Sequence, residues 1–145
     1  MDKLSKSERS KLMGRVRHKD TKPEMYIRRL VYSMGYRYRL HRSDLPGKPD
    51  LVFPGRRKII FVHGCFWHMH PDEKCKLAKL PKPRLEFWIP KLRGNRERDI
   101  RNIKILYEKG WDCLEVWECQ IKKKDKSNLE FRIRGFLSQC SQTLM

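Results

Sequence analysis

Apolar residues recur every three or four positions in four stretches of this chain, which is the spacing of one buried face on an amphipathic helix. The apolar positions of the four faces are Leu12, Met13 and Val16; Ile27, Leu30, Val31 and Met34; Leu92, Ile100, Ile103 and Leu106; and Leu129, Ile133, Phe136, Leu137 and Cys140. Three of the faces follow a capping-box pattern, in which a hydroxyl and a carboxylate three residues apart satisfy free amides at a helix start. These patterns are Ser5-x-x-Glu8, Thr21-x-x-Glu24 and Ser127-x-x-Glu130.

Two residues predict where helices end or bend. Gly35 follows the second apolar face and is a natural stop for that helix. Pro90 cannot lie deep within a helix, so the third helix, at about residues 85–109, either starts near Trp88 or kinks there.

Shorter runs rich in β-branched and aromatic residues lie between the helices and predict strands. Residues 36–40 alternate aromatic or apolar side chains with arginine, and residues 111–117 follow Gly110. Residues 51–53 and 58–62 are separated by Pro54-Gly55, which predicts a hairpin turn. The order of elements is therefore α-α-β-β-β-α-β-α, which predicts a mixed α/β fold with a central mixed sheet flanked by helices. Neither a repeat nor a long linker divides residues 1–145, so we expect a single domain.

The charge of the chain indicates what kind of partner it binds. Its 35 Lys and Arg residues outnumber 17 Asp and Glu residues, and the formal net charge is +18. The basic residues recur along the whole chain, with clusters at residues 3–22, 79–98 and 122–126. A globular domain this basic usually binds a polyanion, because Lys and Arg at phosphates release condensed counterions. We therefore expect a nucleic-acid partner, with anionic lipid as the minor alternative.

The cysteine count and the apolar runs indicate the compartment. No run approaches the ~20 apolar residues of a membrane span, and residues 1–5 lack the apolar core of a signal peptide. We therefore expect a cytoplasmic protein that does not enter a membrane. In that reducing compartment, five cysteines favour a metal site over a disulfide framework.

The cysteines and histidines after the third predicted strand have the spacing of metal ligands. Cys65, His70 and Cys75 lie five residues apart, and Cys119 follows the last predicted strand. Three thiols and one imidazole form a typical tetrahedral zinc set, whose binding energy would stabilise the loop. We choose His70 rather than His68 as the fourth ligand, because His68 is then left for catalysis. The alternative is that these cysteines are ordinary small residues, as we expect for Cys113 and Cys140 in the core.

Acidic and imidazole groups stand at the ends of neighbouring strands. Asp50 precedes an apolar strand, and the next strand ends at Val62 and His63. Two adjacent strands would bring the Asp50 carboxylate, the Val62 carbonyl and His63 together, and oxygen ligands of this kind suit Mg²⁺. The alternative is a turn aspartate that caps a loop. An imidazole can accept a proton from water near neutral pH, so His68 is the candidate general base, although a single histidine is more often structural.

Large aromatic residues accompany these groups. Phe66 and Trp67 lie in the loop with the zinc ligands, and Trp88 lies near the start of the third helix. Flat rings beside cationic residues can stack on bases or wedge between base steps, whereas core packing is the usual fate of tryptophan. We favour a wedge for Phe66 and Trp67 and leave both possibilities open for Trp88. For Glu24, the capping box alone is a sufficient explanation.

These motifs resemble those of the very-short-patch repair endonucleases, which nick DNA at T:G mismatches. The most specific are Leu45-Pro46-Gly47-Lys48-Pro49-Asp50 and Phe61-Val62-His63-Gly64-Cys65-Phe66-Trp67-His68. The resemblance covers nearly the whole chain, in order, and its other segments are residues 9–13, 20–24, 76–81 and 86–88, Asn95 with Arg98-Asp99, Gly110-Trp111 and residues 116–119.

The resemblance implies a restriction-endonuclease-like fold that keeps the usual catalytic aspartate, here Asp50, but lacks the usual lysine. It implies that Asp50 and the Val62 carbonyl hold Mg²⁺ and that Glu24 orders water around the ion. His68 would activate the attacking water, and His63 would assist at the phosphate. The resemblance also implies structural zinc held by Cys65, His70, Cys75 and Cys119.

For DNA, the resemblance implies contacts on both sides of the duplex. Phe66, Trp67 and Trp88 would enter from one groove, and Met13 would approach from the other. Lys91 and Asn95 would contact the mismatched pair, and residues 1–20 would form a basic segment that touches DNA.

The resulting hypothesis is a Mg²⁺-dependent endonuclease that nicks double-stranded DNA 5′ of the thymine in a T:G mispair, the product of 5-methylcytosine deamination. One alternative is a restriction-type endonuclease without mismatch specificity, and another is a non-catalytic, zinc-stabilised DNA-binding module. We expect a monomer, because nicking one strand needs one active site, and a functional pairing with a cytosine-5 methyltransferase and repair proteins.

Overall fold

The computed structural model describes residues 21–40, 42–72, 74–80, 83–122 and 126–139. The predicted N-terminal helix, the capping box at Ser5-x-x-Glu8, Met13 and Cys140 lie outside these residues. None of the helices in the described part of the chain is both long and apolar enough to span a membrane.

Helix α1 (Lys22–Ser33) has the boundaries that its pattern predicts. The Thr21 hydroxyl caps the helix and accepts a hydrogen bond from the backbone N–H of Glu24 at 3.4 Å. After the helix, Gly35 adopts a φ of 95°, a left-handed conformation that costs glycine little. Both the start at Thr21 and the stop at Gly35 are therefore confirmed.

Four strands form one mixed sheet in the order β1-β2-β3-β4. They are β1 (Arg39–Leu40), β2 (Leu51–Phe53), β3 (Lys58–His63) and β4 (Asp112–Trp117). The first three are antiparallel neighbours, whereas β3 and β4 are parallel. The predicted hairpin turn is a short 3-10 turn at Pro54–Arg56, closed by Arg57 with a φ of 57°. The mixed α/β class is confirmed, although only two residues of the predicted 36–40 strand pair with β2.

Helix α2 (Leu85–Glu108) makes the long connection that the parallel pair β3–β4 requires. It starts at Leu85 and includes Pro90, so the alternative of a start near Trp88 is wrong. Because Pro90 lies in the second turn, its missing N–H removes a hydrogen bond close to the helix end rather than in the middle.

Two C-terminal helices follow β4. The first, α3 (Glu118–Lys122), was not predicted, because five residues are too few for a helical period to be visible. The second, α4 (Lys126–Ser138), begins before Ser127, so Ser127 lies in the first turn rather than at the predicted cap position before the helix.

The core lies on both faces of the sheet. On one face, helices α1 and α4 bury Ile27, Val31, Leu129, Ile133 and Leu137 against Leu51, Phe53, Ile60, Val62 and Val116. On the other face, Leu106 of α2 and Trp111 pack against Val52, Ile59 and Phe61. Alternate strand residues point to opposite faces, so strands covered on both sides read as continuous apolar runs.

The predicted inward position of Ile100 is wrong, because its side chain is 53% exposed. Leu92 and Leu106 are fully buried, and Ile103 packs beside Leu106. Residues 92, 96, 99, 103 and 106 follow the helical period, whereas Ile100 lies roughly 120° around the helix from Leu106. Asp99, rather than Ile100, lies on the helix face that Leu92 and Leu106 share.

Candidate functional site

The sheet places Asp50 against the end of β3. Asp50 directly precedes β2, and the backbone N–H of Val62 donates a hydrogen bond to its Oδ2 at 2.7 Å. The N–H and C=O of one strand residue point to the same side of the strand. The Val62 carbonyl therefore faces the same side as the Asp50 carboxylate.

Glu24 of α1 joins this carboxylate inside the protein. Glu24 is 3% exposed, and its carboxylate accepts a hydrogen bond from the Arg28 guanidinium at 3.1 Å. The Asp50 carboxyl is a neighbour of this carboxylate. Burial, and with it the charge of Glu24, raises the pKa of Asp50 to about 7, although the N–H of Val62 acts in the opposite direction. The capping box accounts for the backbone amide of Glu24, and the side chain of Glu24 also pairs with Arg28.

This donor set fits a hard divalent cation. Glu24 is buried, Asp50 is half-buried beside it, and Arg28 pairs with Glu24. A cation bound here would favour the ionised form of Asp50, whose pKa is raised by burial. Carboxylate and carbonyl oxygens are the ligands that Mg²⁺ prefers.

The loop after β3 brings two imidazoles together. It folds in successive turns, in which the N–H of His68 donates to the Gly64 carbonyl at 3.2 Å and the N–H of His70 donates to the Cys65 carbonyl at 2.9 Å. The rings of His63 and His68 are stacked, with centroids 4.3 Å apart. Burial lowers the pKa of His63, whereas the His68 side chain is 31% exposed and open to a substrate.

Each of these imidazoles is bound to a carboxylate through one nitrogen. His68 Nδ1 lies 2.5 Å from Asp99 Oδ2, and His63 Nε2 lies 2.8 Å from Glu115 Oε2. A carboxylate that is ionised only accepts hydrogen bonds, so it favours the tautomer in which the nitrogen facing it carries the proton. In a neutral ring of that tautomer, the remaining lone pair is on Nε2 of His68 or on Nδ1 of His63.

Asp99, Glu115 and its partner Arg96 were missed as site residues by sequence reasoning. Arg96 and Asp99 occupy polar positions on the otherwise apolar face of α2, and Glu115 interrupts the apolar pattern of β4. Charged residues on a face that must be covered are the signal that could have found them.

The predicted cysteine and histidine set forms a compact cluster. One ligand atom from each of Cys65, His70, Cys75 and Cys119 lies within 4.8 Å of all the others. Cys119 Sγ is 3.4 Å from His70 Nδ1, and the N–H of Cys119 donates to Cys65 Sγ at 3.3 Å. Ligands of a tetrahedral zinc ion are about this far apart, so the cluster is consistent with a zinc site.

Nearby residues support the choice of ligands. Helix α3 begins at Glu118 and positions Cys119, and the Trp117 ring stacks on His70 with centroids 4.3 Å apart. Cys113 lies outside the cluster, and burial raises the pKa of its thiol to about 12, as expected for an unreactive residue beside the core.

The aromatic residues form a group of their own beside the histidines. Phe66, Trp67, Trp88 and the unpredicted Phe87 contact each other with centroid separations between 5.1 and 6.1 Å. We call these four rings the aromatic group. Phe87 is 47% exposed, and within the described residues neither core cluster includes any of the four.

Two residues of α2 are associated with the aromatic group. Lys91 Nζ lies 5.9 Å from the centroid of Trp67 and 6.0 Å from that of Trp88, within the range of a cation–π contact. Asn95 Nδ2 donates to the backbone carbonyl of Trp67 at 3.1 Å and so ties the loop to the helix.

Comparison with known proteins agrees with these features. The family model described as DNA mismatch endonuclease Vsr matches residues 1–75. A type II nicking enzyme, V.XorIIP of Xanthomonas oryzae, is 50% identical over 136 residues, which cover 94% of this chain and 96% of the relative. The DNA mismatch endonuclease Vsr of Escherichia coli is 42% identical over 125 residues, which cover 86% of this chain and 78% of that protein. The type II nicking enzyme V.NmeAIP of Neisseria meningitidis is 38% identical over 85% of this chain and 86% of its own length. The chain therefore belongs to the Vsr DNA mismatch endonuclease family, and it is a DNA nicking endonuclease.

Proposed function

We propose that this protein is a Mg²⁺-dependent endonuclease that nicks double-stranded DNA 5′ of the thymine in a T:G mispair. The observation that carries the proposal is the arrangement at the end of β3. There the backbone N–H of Val62 binds the Asp50 carboxylate, His63 follows Val62 and stacks on His68, and the charge of the neighbouring Glu24 acts on Asp50.

His68 is the general base in this proposal. Because Nδ1 is bound to Asp99, its Nε2 takes a proton from water while the water oxygen attacks phosphorus and the bond to the leaving oxygen breaks. Asp99 fixes the orientation of the ring and stabilises the imidazolium that forms. His63, through Nδ1, assists at the phosphate.

The carboxylate pair is the cation site in this proposal. Asp50 and the Val62 carbonyl would hold Mg²⁺, and Glu24 would accept hydrogen bonds from water around it. When bound there, Mg²⁺ supplies positive charge to the phosphate and the leaving oxygen.

The cluster of Cys65, His70, Cys75 and Cys119 is proposed to hold structural zinc. Four protein ligands leave no open position, which is typical of a structural site. The zinc would stabilise the loop that carries His68, Phe66 and Trp67, so it supports catalysis without taking part in it.

The aromatic group is proposed to recognise the mismatch. A wobble pair is less well stacked than a matched pair, so rings that wedge into the duplex open it at lower cost. Phe66, Trp67 and Trp88 would enter the duplex, with Lys91 and Asn95 at the mismatched pair. Met13 and residues 1–20, outside the described residues, would contact DNA from the opposite groove.

This proposal extends to the cellular partners. The net charge of +18 suits a DNA ligand, and one active site per chain suits a monomer that cuts one strand. A cytosine-5 methyltransferase would be a functional partner, because deamination of its product yields T:G, and repair proteins would act on the nick.

A second candidate is favoured by the names of two relatives, which are type II nicking enzymes. This candidate is a restriction-type endonuclease without mismatch specificity. A panel of duplexes that differ only in a central T:G or T:A pair, incubated with Mg²⁺ or with chelator, separates the candidates. We expect a nick 5′ of thymine in the T:G duplexes, and only when Mg²⁺ is present. Equal cutting of the T:G and T:A duplexes would support the second candidate.

A further inference from the structure

Glu115 is a charged residue in the middle of β4, next to the catalytic imidazoles. Its Oε2 accepts hydrogen bonds from His63 Nε2 at 2.8 Å and from Arg96 Nη1 at 2.6 Å. A second bond from Arg96 Nη2 reaches Oε1 at 3.3 Å, so the guanidinium holds both oxygens. The side chains of Glu115 and Arg96 are 23% and 19% exposed, whereas that of His63 is 4% exposed.

The two partners keep this carboxylate ionised. Although burial acts in the opposite direction, the hydrogen bonds from His63 and Arg96 lower the pKa of Glu115 to about 2. An ionised carboxylate cannot donate a hydrogen bond, so the His63 nitrogen that faces it must be N–H.

The ring of His63 has little freedom to turn away from Glu115. It is stacked on His68 at 4.3 Å and on Phe61 at 5.7 Å, and it contacts Trp117 at 4.9 Å between centroids. A ring enclosed in this way keeps the orientation that its hydrogen bond selects.

We propose that Glu115, held by Arg96, is a positioning residue that fixes the Nε2–H tautomer of His63 and leaves its Nδ1 lone pair for the reaction centre. The inference rests on the proposed role of His63 at the phosphate. The neighbouring dyad has the opposite arrangement, because Asp99 binds Nδ1 of His68 and leaves Nε2 free. The two stacked imidazoles therefore present different nitrogens to the substrate, each selected by its own carboxylate.

A purely structural role for Glu115 makes different predictions. If the Arg96–Glu115 pair only tied α2 to β4, its loss would weaken folding and DNA binding together and would act independently of His63. If Glu115 positions His63, its loss lowers the nicking rate only while His63 is present.

The test compares Glu115→Leu with the wild-type protein in single-turnover nicking of a T:G duplex with Mg²⁺. We expect a rate loss of about 10–100-fold, with the duplex dissociation constant changed less than about twofold. Glu115→Gln, whose amide oxygen still accepts from Nε2–H, should lose less than Glu115→Leu. The pair Arg96→Met with Glu115→Leu, which leaves no unpaired cation, should lose as much as Glu115→Leu alone.

The matched control replaces an ion pair between β3 and β4 that lies away from the imidazoles. Lys58 Nζ lies 2.9 Å from Asp112 Oδ2 at the far end of β3 and β4. The double variant Lys58→Met with Asp112→Leu should nick at the wild-type rate once folded.

Two results distinguish a positioning role of Glu115 from a purely structural role. In a His63→Ala background, Glu115→Leu should cause no further loss of rate; an equal loss there overturns the inference. The nitrogen-15 NMR shifts of His63 should report the Nε2–H tautomer in the wild type and a mixture in Glu115→Leu, and an unchanged tautomer also overturns it. If His63→Ala itself nicks at the wild-type rate, the proposed role of His63 fails, while the NMR result still decides whether Glu115 sets the tautomer.

Discussion

At the scale of single residues, the site depends on side chains whose partners are distant in the sequence. His68 meets Asp99, 31 residues later, and His63 meets Glu115, 52 residues later. The pairing gives each imidazole one defined free nitrogen, and the more exposed ring, that of His68, is the one that can reach water. The chemistry of this centre is therefore set by the carboxylates as much as by the histidines.

The Asp99–His68 contact predicts a specific loss of rate. Asp99→Asn keeps the size of the side chain but no longer favours the proton on Nδ1 or stabilises the imidazolium. We expect the nicking rate to fall by about 10²–10⁴-fold, with binding of the mismatched duplex retained. Glu97→Gln, an exposed carboxylate two residues away on α2, is the control and should nick at the wild-type rate. Equal rates for Asp99→Asn and wild type would remove Asp99 from the mechanism.

The pKa of Glu115 predicts a pH dependence of folding. Its pKa of about 2 in the folded protein lies below the ~4.3 of an unfolded chain, so the pair stabilises the protein above pH ~4.3 and stops doing so as the pH falls towards 2. Glu115→Gln should lower the free energy of unfolding at pH 7 by on the order of 1–3 kcal/mol. Denaturant unfolding at pH 7 and pH 3 measures the difference between the two proteins. A difference that grows as the pH falls would contradict the assignment.

Only some of the candidate site residues could be identified from the sequence. Asp50, His63 and the Cys/His ligands stand at strand ends or at metal-ligand spacing, so their types and positions mark them. Glu24 was named only through the family resemblance, because a capping box explains a glutamate three residues after Thr21 whatever its carboxylate touches. Asp99 and Glu115 could not be assigned because their roles come from tertiary contacts that no local pattern records.

At the scale of secondary structure, the site is built where β3 and β4 end side by side. Strand β3 carries Val62 and His63, β4 leads into Cys119 through α3, and α2 lies across them with Asp99. The strands and long helices were predictable because burial on two faces or on one helical face leaves a period in the sequence. The short helix α3 was not, because five residues are too few to show a helical period.

The Cys/His cluster predicts a metal-dependent loop. The purified protein should contain about one zinc ion per chain, and chelation should lower the melting temperature and abolish nicking. Cys119→Ser should lower the zinc content and the melting temperature, whereas Cys113→Ala, a thiol on β4 outside the cluster, should keep the zinc. Metal analysis with thermal unfolding measures both. Full zinc content in Cys119→Ser would exclude this cysteine as a ligand.

At the scale of the whole molecule, a strongly basic protein presents a group of aromatic rings beside a reaction centre. Phosphate contacts provide affinity without distinguishing sequences, so in the proposed function discrimination comes from the rings and the residues near them. The loop that carries Phe66 and Trp67 is attached to α2, because Asn95 donates a hydrogen bond to the backbone carbonyl of Trp67. The cysteine and histidine cluster includes residues of the same loop.

The aromatic group predicts how discrimination is lost. Trp67→Ala should weaken binding of a T:G duplex by about 1–3 kcal/mol and reduce the ratio of T:G to T:A nicking rates. Phe131→Ala removes a ring on α4 that is 77% exposed and should change neither quantity. Fluorescence anisotropy and paired nicking rates make the comparison. An unchanged T:G to T:A ratio in Trp67→Ala would refute the wedge.

The central claim is that a carboxylate-held cation and the imidazole of His68 act on one phosphodiester beside the aromatic group. The most direct measurement is the single-turnover nicking of a T:G duplex, with the cut position mapped, by wild-type protein, Asp50→Asn and His68→Ala, each with Mg²⁺ and with chelator. We predict one cut 5′ of the thymine by the wild type with Mg²⁺, bound but uncut duplex with either variant, and no cut with chelator. Cutting at the wild-type rate by either variant, or cutting without a divalent cation, would contradict the claim.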